Sequence, residues 1–131
     1  MAISAFANAL AAITLAGVTT KLPGIPKELK PSQLPSQWVD MPSAVINPEN
    51  PFGTLAGSAS RYSCVLYIAV DRLVEGLPDT QRTAMLQIAD AVEIWAEASP
   101  YTVEIELTPR IPVGGVEHRG LTVRVTAEDM E

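Results

Sequence analysis

The chain has 131 residues, 47% of them hydrophobic and 18% charged, so the sequence predicts one folded domain with a hydrophobic core. Its net charge is −6, and all of the excess negative charge lies in residues 61–131. Because nucleic-acid binding depends on clustered Lys and Arg, this balance argues against DNA or RNA as the primary ligand. Cys64 is the only cysteine, which excludes an intrachain disulfide and a thiolate zinc site and fits a reducing compartment.

Residues 3–18 are apolar but are predicted to form a packed helix, not a membrane or signal segment. No Lys or Arg precedes Lys21, and polar residues interrupt the run. Ser4 is the expected N-cap, and Gly17 is placed to end the helix in a left-handed conformation. The helix is indicated by apolar residues at three- and four-residue spacing: Phe6, Ala9, Leu10 and Ile13.

A proline-rich arm at about residues 19–37 follows the helix, and seven of the eleven prolines lie in residues 22–51. Proline fixes φ and removes a backbone donor, so most of this stretch is neither helix nor central strand. It is too apolar for a solvated linker and needs a surface to lie on, in its own domain or in another subunit. The candidate subunit or partner interface is therefore Lys21, Leu22, Ile25, Lys27, Leu29, Lys30, Leu34 and Trp38.

Two of these assignments have an ordinary structural alternative. The three lysines suit a basic patch, but a solvated loop uses lysine in the same way. Trp38 suits an interface anchor, although an apolar residue at the start of a strand is more often part of the core.

The strand pattern begins after the arm. Residues 36–46 are β-prone on both sides of Pro42, which predicts an edge strand or two short strands about a bend. Residues 47–60 are rich in Pro, Gly, Ser and Asn and predict a loop or a hairpin tip. Residues 61–70 are apolar on both faces, as is typical of a central strand.

Residues 79–98 carry the clearest helical pattern of the chain. Asp79 or Thr80 is the expected N-cap, and Pro100 is expected to stop the helix. The apolar stripe that should face the core consists of Met85, Ile88, Ala89, Val92 and Trp95.

Apolar and polar residues alternate in two segments near the end of the chain, which predicts two strands. The side chains expected to face the core are Tyr101, Val103, Ile105 and Leu107 on the first strand and Leu121, Val123 and Val125 on the second. A two-residue turn at Gly114-Gly115 alone would place Leu107 opposite Thr122 and mix the two faces of the sheet. One bulge or an odd-length loop is therefore required, and Pro109 and Pro112 mark the place.

The element order predicts a single α+β domain over residues 1–131, with a mostly antiparallel sheet, two helices packed on one face and the long Pro-rich arm. The opposite, exposed face of the sheet carries Thr and acidic side chains. After the bulge, Arg124 should lie near Glu104 or Glu106 on this exposed face. The candidate acidic residues of this face and of the C-terminal tail are Glu104, Glu106, Glu128, Asp129 and Glu131.

The sequence predicts no enzyme, no cofactor and no metal site. His118 is the only histidine, and Cys64 with His118 suits a buried structural cysteine beside a loop histidine better than a nucleophile and its base. Glu104 and Glu106 share one strand face, where they would suit a hard cation, but outward carboxylates on such a strand are usually only solvated. No glycine-rich phosphate loop occurs.

The pattern of elements resembles the tail terminator, or tail-completion, proteins of long-tailed bacteriophages, of the lambda type. The resemblance spans nearly the whole chain and depends on its size, on the Ala-rich N-terminal helix, and on the strand, the helix at 79–98 and the closing strands. It also depends on a strand entered through Leu34-Pro35 and Met41-Pro42-Ser43-Ala44-Val45-Ile46. The arm at residues 19–35 is longer and richer in proline than in the family, so no role for it is carried over.

The resemblance implies a structural virion protein of the tail or neck, assembled in the host cytoplasm without a cofactor and without a membrane. Such proteins form a ring, expected here to be a hexamer, that caps the tail tube and ends its polymerisation. Their partners are the tail tube protein and the head-tail connector. The acidic sheet face or tail would line a channel through which DNA passes without specific binding.

Two alternatives remain open from the sequence. One is another phage component of similar size, such as a neck or head-tail adaptor or a tail tube subunit. The other belongs to a different class, a small cytosolic binding domain or hydrolase. Oligomeric mass separates the last class from the others, because a ring is not expected for it.

Overall fold

The computed structural model describes residues 2–46 and 59–130. Both helices pack on one face of a mostly antiparallel sheet, which confirms the predicted α+β class. Residues 47–58 of the predicted loop lie outside the described part of the chain. The elements in chain order are helix α1 (Ile3–Ala11), strand β1 (Thr20–Lys21), a 3-10 turn (Pro31–Gln33), strands β2 (Ser36–Val39), β3 (Ser43–Ile46) and β4 (Ala59–Arg72), helix α2 (Asp79–Ala98), and strands β5 (Thr102–Val113) and β6 (Val116–Met130).

Strand β4 is the centre of the sheet. It pairs with β6 along nearly its whole length, and its other edge is shared by β2 and β3. These two short strands lie on either side of a break at residues 40–42, as the position of Pro42 predicts. Strand β1 runs parallel to β2 on its outer side, and β5 lies beyond β6. The order β1-β2-β4-β6-β5, with β3 also beside β4, confirms residues 61–70 as part of a central strand.

The helices cover one face of the sheet, which we call the inner face. Phe6 and Leu10 of α1 and Met85, Ile88 and Val92 of α2 are buried against it. Successive residues of a strand point to opposite faces, so one alternating set reaches this layer. Strands β4 and β6 contribute Tyr62, Cys64, Leu66, Ile68, Val70, Leu121, Val123, Val125 and Ala127 to it. The main hydrophobic core is the layer between the sheet and the helices.

Helix α1 differs from its prediction at both ends. Ala2, not Ser4, is the N-cap, and the helix ends before it reaches Gly17. The carbonyl of Ile13 accepts a hydrogen bond from Gln37 Nε2 at 2.7 Å, so the chain leaves the helix and is fixed to strand β2. Gly17 instead forms a tight turn with φ of +92°.

Helix α2 has its predicted bounds, residues 79–98, and its predicted apolar stripe faces the core. The predicted cap is wrong, because Pro78 is the N-cap residue and neither Asp79 nor Thr80 makes a capping hydrogen bond. The fixed φ of proline suits a helix start, and Asp79 in the first turn interacts favourably with the positive end of the helix dipole. The helix ends before Pro100, as predicted.

Strands β5 and β6 form a hairpin closed by Gly114 and Gly115, whose φ angles of 59° and 79° suit a two-residue turn. The register shifts after Leu107, at the Pro109 end of the predicted interval, so that Leu107 lies opposite Leu121. This confirms the predicted bulge. The bulge keeps the apolar residues of both strands on the inner face.

Strand β5 is less covered than its alternation predicts. Tyr101 and Val103 pack against the core, but Ile105 and Leu107 are 37% and 38% exposed. Their register places them on the inner face opposite Val123 and Leu121. The hydrophobic layer therefore ends near the start of β5, and an apolar edge of the sheet is left open to solvent.

Candidate functional site

The face of the sheet opposite the helices, the outer face, is partly covered by residues 22–34, which we call the strap. Because β1 and β2 are parallel neighbours, the chain between them must cross over the sheet. Leu29 of the strap is buried in an outer cluster with Trp38, Ala69, Ile111 and Val113, and Leu22 and Leu34 are half-buried against it. The strap also reaches the hairpin turn, where a Cβ on Gly114 would lie 2.7 Å from the carbonyl oxygen of Lys27. The proline-rich segment therefore lies on its own domain.

This arrangement separates the predicted interface residues into two groups. Leu29 and Trp38 are only 6% and 3% exposed, so they belong to the core of this chain and are not accessible to a partner. Ile25, in contrast, is 64% exposed. The three lysines of the set are also exposed, and Lys21 Nζ donates hydrogen bonds to Ala12 O and Thr14 Oγ1.

His118 lies beneath the strap and not in a loop as predicted. It is a fully buried residue of β6, paired with Ile111 across the hairpin, and its Nδ1 lies 3.3 Å from Ile111 O. His118 Nε2 and Ser36 Oγ are both buried without a hydrogen-bond partner among the described residues. In the described part of the chain, buried polar atoms without a partner also occur on the helix side of the sheet, at Gln37 Oε1 and Gln81 Oε1.

Cys64 and His118 do not form a nucleophile and base. Cys64 is on the inner face, whereas His118 shares the outer face with its pair Ile111. The Cys64 thiol donates to Asp40 O at 3.2 Å. Burial raises the pKa of Cys64, and the Asp40 charge raises it slightly further against the lowering effect of the Val65 backbone. A buried thiol with a raised pKa is poorly reactive.

The uncovered part of the outer face forms a continuous depression, which we call the outer groove. Its largest part has a volume of about 480 Å³ and is lined by Val65, Tyr67, Glu104, Ile105, Glu106, Thr122 and Arg124. A second part of about 210 Å³ lies between Ile25 of the strap and the sheet, and a third of about 260 Å³ lies beside the β2–β3 break. Tyr67 joins the first part to the second, and Val65 and Arg124 join it to the third.

The outer groove combines an aromatic and apolar floor with charged walls. Tyr67 stacks on Trp38, its partner across strands, with ring centroids 5.8 Å apart. Burial raises the pKa of Tyr67, and Asp40 raises it further, while Arg124 acts in the opposite direction. Asp40, Glu104 and Glu106 outnumber the single guanidinium of Arg124 in the three parts of the groove.

The predicted neighbourhood of Arg124 is confirmed by the register, which places it opposite Glu104. In residues 2–46 and 59–130, however, no ion pair joins Arg124 to a carboxylate. Glu106 instead accepts a hydrogen bond from Thr122 Oγ1 at 3.2 Å. The charges of the groove are therefore close together without neutralising one another in direct pairs.

None of the other predicted acidic residues that the structure describes lines the groove. Glu128 is near the end of β6 and forms an exposed ion pair with Arg61 at 3.2 Å. The side chain of Asp129 and the whole of Glu131 lie outside the described part of the chain. Alternation along β6 places Glu128 on the outer face with Glu104 and Glu106, but of these three only Glu104 and Glu106 line the groove.

Sequence reasoning placed Arg124 near Glu104 or Glu106 but did not bring Asp40 or Tyr67 to the same surface. Asp40 lies in the break between β2 and β3 and Tyr67 lies in β4, and nothing in their spacing joins them. The one available signal is Tyr67, an aromatic residue on the outward face of a central strand.

Within the described residues no group of three or more His, Cys, Asp or Glu side chains is arranged to hold a metal ion. Neither α1 nor α2 combines the length and apolar character that crossing a bilayer requires. Comparison with protein-family models, curated proteins and solved structures finds no match to this chain.

Proposed function

We propose that the protein is a structural ring protein that caps the tail tube of a bacteriophage, ends its polymerisation and joins the tail to the head. The observation that carries the proposal is a sheet with two open edges, β3 on one side and β5 on the other. Among the described strands, each of these pairs on one side only. A sheet of this kind can continue from one copy to the next.

The strand directions favour that continuation. Strand β3 is antiparallel to β4, and two further antiparallel pairings bring β5 into the same direction as β4. When copies are rotated about an axis along the strands, β5 of one copy therefore meets β3 of the next in the antiparallel sense. Such a contact is head-to-tail, and closure into a ring prevents it from growing into an open filament.

Both edges expose apolar side chains that a neighbour would cover. Met41, Val45 and Ile46 at the β3 edge are 82%, 52% and 60% exposed, and Ile105 and Leu107 are exposed at the β5 edge. Natural proteins usually blunt free edges with charge, proline or a covering segment, because open edges pair with other chains. An apolar open edge is consistent with a partner strand in the assembled state.

The outer face supplies the surface for the channel in this arrangement. The helices would lie outside, and Glu104 and Glu106 would face inward, where negative charge disfavours contact with DNA phosphates. DNA would then pass through without specific binding. The partners would be the tail tube protein and the head-tail connector, the ring would be a hexamer in the virion, assembled in the host cytoplasm, and no cofactor is required.

The test mixes the purified protein with tail tubes and examines them by electron microscopy. We expect density at one tube end and a limit on tube length. Val45→Lys, which places a charge on the β3 edge, should abolish both effects. Val74→Lys is the matched control, because Val74 is 45% exposed but belongs to neither edge.

The protein could instead leave tube ends bare and tube length unchanged. Ring assembly on heads would then favour a neck or head-tail adaptor, and incorporation along the tube would favour a tube component. A protein that stays monomeric under all these conditions would favour a small binding domain or hydrolase.

A further inference from the structure

The exposed side of the strap and the outer groove have complementary chemistry. The strap presents Ile25, 64% exposed, followed by the exposed lysines Lys27 and Lys30. The groove offers an apolar floor at Val65 and Tyr67.

Charge is matched as well. The walls of the groove carry Asp40, Glu104 and Glu106, which suit the two lysines of the strap. Arg124 in the groove likewise suits Glu28, the one acidic residue of the strap. Each surface therefore offers the other charges of opposite sign, with the groove predominantly negative and the strap predominantly positive.

Within one chain Ile25 of the strap lines the second part of the groove, whereas the charged residues Lys27, Glu28 and Lys30 line none of its three parts. Burial of Leu29 and packing of the Lys27 backbone against Gly114 hold the strap at the hairpin end of the outer face. No ion pair links Lys27 or Lys30 to a carboxylate in the part of the chain that the structure describes. Both sets of charges are available to another molecule.

From this complementarity we infer that two copies of the chain pair face to face, with the strap of each lying in the outer groove of the other. Strap and groove adjoin on the same face, so a two-fold axis between two facing copies brings both contacts together at once. Such a contact is self-complementary and closes at two subunits. The groove then binds the strap of a second copy of this protein.

The pairing goes beyond the proposed ring and does not depend on it. It covers the face that the ring would turn to its channel, whereas the ring uses the β3 and β5 edges. The pair and the ring are thus alternative states, and the pair is the state of the free protein.

The test reverses the charges of each surface separately. Lys27→Glu with Lys30→Glu makes the strap acidic, and Glu104→Lys with Glu106→Lys makes the groove basic. Each double variant alone then faces itself with like charges, and we expect its dimer to dissociate at least about tenfold more readily than the wild type in sedimentation equilibrium. An equal mixture of the two restores both contacts, so a heterodimer of near wild-type affinity should form.

The control is Glu93→Lys with Glu97→Lys, which makes the same charge change on the exposed side of α2 and should leave dimerisation unchanged. Circular dichroism must show that every variant is folded. A monomeric wild type, or a mixture that fails to form the heterodimer, would overturn the inference. A mixture that forms larger even-numbered species would replace the two-fold pair by a head-to-tail chain.

Tube capping is measured separately with the same variants. A wild type that caps tubes but stays monomeric when free would overturn only the face-to-face pair. If the dimer responds to the charge reversals as expected but the protein does not cap tubes, only the proposed function is contradicted.

Discussion

The two faces of the sheet are covered in different ways. On the inner face, two helices enclose a layer of apolar side chains whose buried members come from α1, β4, α2, β6 and the segment after α1. On the outer face, a strap with one 3-10 turn and no strand closes over a small cluster, and Ser36 Oγ and His118 Nε2 are buried there without a hydrogen-bond partner among the described residues. The inner face holds the fold together, and the outer face keeps a surface that can be rearranged.

The helices and the strap differ in how much their burial of apolar side chains stabilises the fold. A fully buried Leu or Val side chain contributes about 1.5–3 kcal/mol, and the inner face has many of them. Ordering the strap backbone costs about 1–2 kcal/mol per residue, offset mainly by Leu29 and by the half-buried Leu22 and Leu34. Local opening should therefore begin at the strap, which has few buried apolar contacts for its length.

The largest effect should come from a cavity in the inner core. Leu66 is fully buried on the central strand, and Leu66→Ala should lower the free energy of unfolding by about 2–5 kcal/mol in urea titrations. Leu29→Ala, the matched truncation under the strap, should cost less. It should speed amide hydrogen exchange in residues 22–34 while exchange in β4 and β6 stays slow.

Equal losses in the two variants, with the strap and the central strands exchanging together, would contradict this division. The strap would then be part of one cooperative unit with the inner core.

A second prediction concerns the contact between strap and hairpin. Gly114 and Gly115 both have positive φ, so alanine at either position costs about 1–2 kcal/mol from the backbone. A Cβ at Gly114 also meets the Lys27 carbonyl oxygen, whereas nothing lies within 4 Å of a Cβ at Gly115. Gly114→Ala should therefore lose roughly 1 kcal/mol more than Gly115→Ala.

Limited proteolysis gives the second measurement for this pair. Cleavage within residues 22–34 should be faster in Gly114→Ala than in Gly115→Ala. Matching stabilities and matching cleavage rates would mean that the strap does not bear on the hairpin.

The inner face could be predicted from the sequence because its apolar residues recur with the spacing of a helix or of a strand. Helix α2 shows a clear stripe between Pro78 and Pro100, and the alternation of β6 marks its buried side. Even the bulge after Leu107 could be predicted, because the hairpin otherwise mixes the two faces. These features depend on local patterns of apolar residues.

The outer face could not be predicted in the same way. Proline in the strap removes the backbone pattern that would show which surface it covers, and the contact of Lys27 with Gly114 joins distant parts of the chain. The early end of α1 likewise depends on Gln37, 24 residues beyond Ile13. His118 gave no sign of burial, because it lies between the charged residues Glu117 and Arg119 in a segment bounded by glycines.

The smallest predicted effect is the loss of stability at alkaline pH that comes from Cys64 on the inner face and Tyr67 on the outer face. An unfolded cysteine loses its proton near its ordinary pKa of 9.0, whereas burial keeps the folded Cys64 protonated to higher pH. The unfolded state therefore binds fewer protons above pH 9, and this contribution to stability is lost as the pH rises. Tyr67 acts in the same direction above its ordinary pKa of 10.0.

Urea titrations at a series of pH values above 8 measure the slope of stability against pH. Cys64→Ala should flatten this slope from about pH 9 upward, and Tyr67→Phe should flatten it only above about pH 10. The effect of Cys64 should be the greater, because its thiol is enclosed in the inner core while Tyr67 borders the open groove. Slopes parallel to the wild type in both variants would show that neither group keeps its proton through burial. This order holds for the single chain, so the titrations use a protein concentration at which the chain is monomeric, and a greater effect at Tyr67 there would contradict it.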